Sequence, residues 1–297
     1  MIGGINLWDP THVSFTVDLL TAFLLGVLHG VTPDEHTWPI TFSYAVGGYS
    51  TARGLRAGLL FSLAFAVQAA FASELGHFGF TQWFASEVFD SIVYVAVGIV
   101  MAAAGLFAMG RGVLPHLHLP GLTRRDAQSA QPPRELKWWM PAVHGFIAGW
   151  GIDAFSMIIY TTLAPAMPSA ATGWLPGFVF GCGTLCVQAA AGAAFGAWAM
   201  RRGLPSEAIR TIALTTAART LTWGGLAFVI FGIFGLIFPG AADVALRTPL
   251  HIHNLDTVGL PLLLLIVVVL GVGVTSLVTA TQAYRRRFVA APAPMKS

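Results

Sequence analysis

Leu28-His29-Gly30-Val31-Thr32-Pro33-Asp34-Glu35-His36-Thr37-Trp38-Pro39 closes one long apolar run and opens another. Two imidazoles and two carboxylates fall between His29 and His36. Charge inside a hydrophobic segment is costly and normally persists where it binds, pairs or carries something. On an unbroken helix turning about 100° per residue, His29 and His36 would stand about 20° apart, and Asp34 about 140° from His29. Pro33 prevents that: its nitrogen has no hydrogen to donate to the His29 carbonyl and its ring clashes with it, so the first span should break here. Breaks at membrane depth persist where the freed backbone faces protein or a wet cavity. Broken helices with ionisable side chains at mid-membrane are the usual construction of a transport site. A plainer reading, a polar turn with Asp34 capping the next helix, stays open on this stretch alone.

Composition sets the class. Of 297 residues, 56% are hydrophobic and only 10% charged, against about a quarter charged in a soluble domain. Mean hydropathy is +0.72. Recurrent apolar runs of about 20 residues predict an all-α polytopic membrane protein with about seven to eight transmembrane segments. The runs cover 13–31, 37–49, 55–73, 88–109, 138–163, 175–200, 220–238 and 258–284, with a short surface helix at 206–219. No Lys or Arg precedes Arg53, so no cleavable leader is expected. With Thr51–Gly54 cytoplasmic, 15 of the 16 Lys and Arg residues fall on or beside the cytoplasmic side, and only Arg247 lies outside. The C-terminus is then cytoplasmic. Basic residues distributed in this way mark membrane orientation rather than a nucleic-acid surface.

The chain also echoes itself. Val27-Leu28-His29-Gly30 is matched by Ala142-Val143-His144-Gly145, and Phe65-Ala66-Val67-Gln68-Ala69-Ala70 by Leu185-Cys186-Val187-Gln188-Ala189-Ala190. The expected organisation is a single membrane domain: repeat one over about 13–110, a cytoplasmic linker at 110–137, repeat two over about 138–240, and a final span at 258–284. Three spans per half invert the second repeat relative to the first, and inverted repeats enclosing a site between them are a transporter pattern.

His29, Asp34, His36 and His144 make a nitrogen- and oxygen-rich set suited to nickel, cobalt, zinc or copper(II), and the stretch holds no thiolate for copper(I). For His144 a core histidine bonded to a carbonyl is the alternative. Asp153 faces the same cavity or caps a break near Gly149–Gly151. Gln68 and Gln188 line the pathway or tie helices together. His116 with His118, and His251 with His253, are candidate collecting sites for a metal or ordinary loop histidines. Cys182 and Cys186 share one helix face, which suits core packing and argues against a thiol conductor needing cysteines in both halves.

His29, four residues, Asp34 and then His36 resemble the H-x4-D-H signature of the nickel/cobalt transporter family. The Arg-Gly-Leu-Arg-Ala-Gly lead into the next span resembles the wider permease and efflux group. The likeness covers mainly residues 20–75, and more loosely 140–190. Glu35 stands where the family's second histidine follows the aspartate, so Glu35 joins the candidate ligands. The resemblance implies a permease of a bacterial or archaeal cytoplasmic membrane, moving Ni²⁺ or Co²⁺ as transported ion, with no permanently bound cofactor. Two other classes compete: a proton-coupled exporter of a small organic or amino-acid-like solute, and an intramembrane metal-dependent hydrolase. Against the hydrolase, no H-E-x-x-H occurs and no nucleophile stands beside a base, so no enzymatic activity is expected.

Overall fold

In the computed structural model, which describes residues 14–32, 36–84, 86–110, 134–200, 206–240, 246–247, 257–258, 263–264 and 266–288, the first helix stops where local sterics require. Helix α1 (Phe15–Val31) starts at Ser14, whose hydroxyl accepts from the Val17 amide. At its end Thr32 is extended, φ −68° and ψ 132°, as the ring of a following proline demands. Its hydroxyl donates back to the Leu28 carbonyl at 2.7 Å. Helix α2 (Trp38–Gly47) has Pro39 in its first turn, where a missing N–H costs nothing. It runs for ten residues, about half the thickness of a bilayer core. Every residue from Pro39 to Gly47 is buried.

Next come α3 (Thr51–His77), α4 (Thr81–Phe84) and α5 (Glu87–Ala108). Beyond the linker lie α6 (Met140–Ala148), α7 (Ala154–Ile158) continuing as a π-helical turn (Ile159–Leu163), α8 (Leu175–Met200) and α9 (Ser206–Ile237). A wide π-helical stretch (Ile266–Val274) then leads into α10 (Thr275–Phe288). Among the described residues the fold is all-helical apart from a two-residue antiparallel bridge, Leu246–Arg247 with Thr257–Val258. Five helices of the described chain are long and apolar enough to cross a membrane: Thr51–His77, Glu87–Ala108, Leu175–Trp198, Ser206–Ile237 and Ile266–Tyr284.

Two boundaries differ from the sequence expectation, and a third decides between its alternatives. The surface helix at 206–219 and the span at 220–238 are one continuous helix of 32 residues. Only the hydropathy changes there, and no proline interrupts it. The run 138–163 divides at Gly149–Asp153 between α6 and α7, the break that one of the two readings of Asp153 expected. The last helix begins well after 258, because Thr257 and Val258 pair with Arg247 and Leu246.

The halves are interleaved. Helix α3 packs chiefly on α8 and α5 on α9, while α1 lies on α8 and α6 on α3. Helix α2 packs on α9, α8 and α3. Close approach depends on glycine. A Cβ at Gly26 would overlap the Phe180 carbonyl, and one at Gly145 the Phe61 carbonyl. Likewise Gly58 meets the Gln188 carbonyl and Gly177 that of Ala69. Each contact maps onto its counterpart by a shift of 119 residues, Gly26 to Gly145 and Phe61 to Phe180, Gly58 to Gly177 and Ala69 to Gln188.

Candidate functional site

His29 occupies the last turn of α1 and is 5% exposed. Its ring stacks on Phe65 of α3 (centroids 5.4 Å apart, planes 12° apart) and leans on Phe180 of α8 at 5.3 Å. The Nδ1–H donates to Asp153 Oδ2 at 3.0 Å. Asp153 is the N-cap of α7: its Oδ1 accepts from the Ser156 amide at 2.7 Å, and its own amide donates to the Ser156 hydroxyl at 2.9 Å. One carboxylate oxygen therefore holds the helix start and the other holds the imidazole. A carboxylate on Nδ1–H fixes the tautomer and makes Nε2 the electron-pair donor, the arrangement found behind metal-binding histidines.

His36, also 5% exposed, lies beyond the break in the first span. Its ring rests on Tyr94 of α5, centroids 4.6 Å apart. Its Nε2 is 3.9 Å from Oδ1 of Asp90, one turn earlier on α5. Gly151 closes another side: a Cβ there would lie 2.5 Å from Nε2. Thr37 accepts a 3.4 Å hydrogen bond from Gln188 of α8. Gln68 of α3 is fully buried and would be struck by a Cβ at Gly149.

Gly149, Gly151 and Asp153 thus meet Gln68, His36 and His29 in turn, at alternate residues of the broken segment. Trp150 turns aside, edge-on to Phe84 and Phe89 at 6.1 and 6.2 Å. It lines a cavity of about 690 Å³ with Phe80, Trp83 and Ile92. That cavity has no ionisable side chain among its lining residues, which suits lipid or other apolar matter rather than a cation.

Five expected residues therefore gather here: His29, His36, Asp153, Gln68 and Gln188. His144 does not join them. It is buried on α6, and its Nδ1 is 3.0 Å from both the Tyr44 hydroxyl and the Met140 carbonyl. Pro33, Asp34, Glu35, His116, His118, His251 and His253 lie outside the described residues. Among the described residues no group of three His, Cys, Asp or Glu side chains converges on a point where a metal could bind. Cys182 is half-buried and Cys186 exposed on α8, both as thiols. Sequence reasoning did not assign a role to Asp90, Tyr94 or Gly151, which enclose His36 from distant segments. Nor did it single out Asp18, buried on α1 at 1% exposure.

A different cluster marks the end of the bundle where α3 and α9 begin. Glu135 accepts from the Tyr49 hydroxyl at 2.8 Å and from Arg210 at 3.2 Å, with Arg53 at 3.8 Å. The Tyr49 hydrogen bond, then Arg210 and Arg53, hold the Glu135 carboxyl below the usual carboxylate range. Tyr49 itself has a left-handed backbone, φ 42°, at the turn between α2 and α3, with Arg53 stacked over its ring at 4.5 Å. No family model matches the chain, and no curated protein or solved structure matches it significantly.

Proposed function

We propose that this chain is a membrane permease for a divalent transition-metal cation, nickel or cobalt before zinc. The observation that carries the reading is the buried His29–Asp153 pair beside His36, joining two broken helices across the halves. Asp153 orients His29, and His29 and His36 offer imidazole nitrogens of the kind such cations prefer. Asp34 and Glu35 are proposed to add the anionic charge that offsets the cost of desolvating the ion. His144, held between the Tyr44 hydroxyl and the Met140 carbonyl, is left out of the proposed ligand set. No catalytic role is proposed for any residue.

The architecture we propose is two inverted repeats and a C-terminal span, seven crossings when α1 with α2, and α6 with α7, each count as one broken span. The reciprocal contacts 119 residues apart support it. So does the exchange of α1 onto α8 and α6 onto α3. Transport would follow from one repeat rocking against the other, exposing the site to each side in turn. In this proposal the basic end, with Arg53 and Arg210, faces the cytoplasm of a prokaryotic cell.

One observation favours a second reading. A buried histidine–carboxylate pair without a third ligand among the described residues is also the equipment of a proton-coupled exporter of a small organic solute. Titration of Ni²⁺, Co²⁺ and Zn²⁺ into detergent-purified protein, with His36→Ala alongside, decides between them. Micromolar or tighter binding that the variant loses is expected. Binding indifferent to His36, or none, would sink the metal reading and leave the proton-coupled exporter.

A further inference from the structure

We infer that Asp90 is the residue through which the cation reaches His36, so that the path has two stations: Asp90 with His36, then Asp153 with His29. This rests on the permease reading above. Asp90 and Tyr94 stand one turn apart on α5, on one face of the helix. Tyr94 holds the His36 ring from one side while the Asp90 carboxylate points at Nε2 from 3.9 Å. That gap is too wide for a hydrogen bond. A cation bound about 2.1 Å from each atom bridges it with a bent N–metal–O angle.

One of the four side chains is markedly more exposed than the rest. The Asp90 side chain is 32% exposed and that of His36 7%, while Asp153 and His29 are 10% and 6%. Asp90 alone of the four reaches the surface. It does so at the end of the bundle where α3 finishes and α5 begins, opposite Arg53 and Arg210. Its neighbour Glu87 is engaged elsewhere, accepting from the Gly240 amide at 2.8 Å beyond the end of α9. The large apolar cavity alongside offers a cation no ligand. Gly151 leaves room for the His36 ring in the first station, and the same segment delivers Asp153 to the second, two residues later. In this proposal the cation passes next to His29, which Asp153 orients.

The test uses the full-length protein and Co²⁺, whose visible absorption reports its ligands. Binding is titrated in detergent, and uptake is followed in proteoliposomes, for wild type, Asp90→Asn, Asp90→Glu and Glu87→Gln. Asp90→Asn should raise both Kd and KM on the order of tenfold, with kcat little changed. Asp90→Glu should recover most of the loss, and Glu87→Gln should match wild type. Asp90→Ser gives the same reading if Asp90→Asn does not purify as wild type does. Wild-type Kd and KM in the Asp90 variants would overturn this inference alone. Absence of Co²⁺ binding to wild type would overturn it together with the permease reading.

Discussion

Asp153 does two jobs with two oxygens, and substitutions separate them. Asp153→Asn keeps an acceptor for the Ser156 amide but removes the charge facing His29, whereas Asp153→Ala removes both. Thermal unfolding in detergent should therefore find the alanine variant less stable than the asparagine variant by about 1 kcal/mol, the usual worth of an N-cap. On the permease proposal both variants should lose Co²⁺ affinity, because neither presents a carboxylate to fix the His29 tautomer. Gly151→Ala tests the opposite wall of the site. Its Cβ would press on three atoms of the His36 ring, so affinity should fall on the order of tenfold while circular dichroism stays unchanged. His29, His36 and Asp153 could be picked out from sequence because charge in apolar runs stands out. Asp90 and Tyr94 could not, since nothing in the sequence relates an acid and an aromatic at the start of the 88–109 run to a histidine in the first broken stretch. Only the packing of α5 against the broken span brings them to His36.

At the level of helices, the α5–α9 contact has almost no slack. Gly98 and Gly225 lie back to back, and a Cβ on either would strike the carbonyl of the other. Gly98→Leu should cost about 1–3 kcal/mol through overpacking. Gly271→Ala, whose Cβ would meet nothing nearer than 3.9 Å, should cost far less; chemical unfolding in detergent measures both. Both helix breaks were legible, one from Pro33 and one from the Gly149-Trp150-Gly151 run, because each rests on local backbone chemistry. The continuity of α9 was not. Arg210 and Arg219 made its first half look like a separate surface helix, yet a helix needs unbroken backbone bonds rather than uniform hydropathy. The 206–219 segment is well populated with Ala, Thr, Ile and Leu, and nothing in it interrupts those bonds.

Across the whole molecule, orientation and internal register are the open tests. Reporters fused after Ile237 and after Phe288 should register opposite sides of the membrane, the second cytoplasmic. The Glu135 cluster joins the α2–α3 turn, the end of the linker and the start of α9. With its folded-state pKa lowered, the cluster stabilises fully above the ordinary carboxylate value and loses that contribution as pH falls through the lowered one. Glu135→Gln should therefore lower stability by a similar amount throughout about pH 5–8 and by less in stronger acid, measured by thermal unfolding in detergent. The echo in the sequence aligned His29 with His144, but the packing relates Gly26 to Gly145 and Gly30 to Gly149. Side-chain identity drifts at equivalent sites, whereas a glycine beneath a crossing helix cannot be replaced cheaply. On the repeat architecture proposed above, the steric positions hold the register that the histidines obscured.

The burial of α2 on all sides has a consequence for biogenesis. Ten residues are too few to cross a bilayer by themselves, and the partners that enclose α2, chiefly α9 and α8, are synthesised more than a hundred residues later. The ribosome must therefore deliver α2 long before its shelter exists. It is expected to stay beside the insertion machinery until α9 has been made. A nascent chain arrested after Ala148 should crosslink to that machinery through Phe42, and one arrested after Phe288 should not.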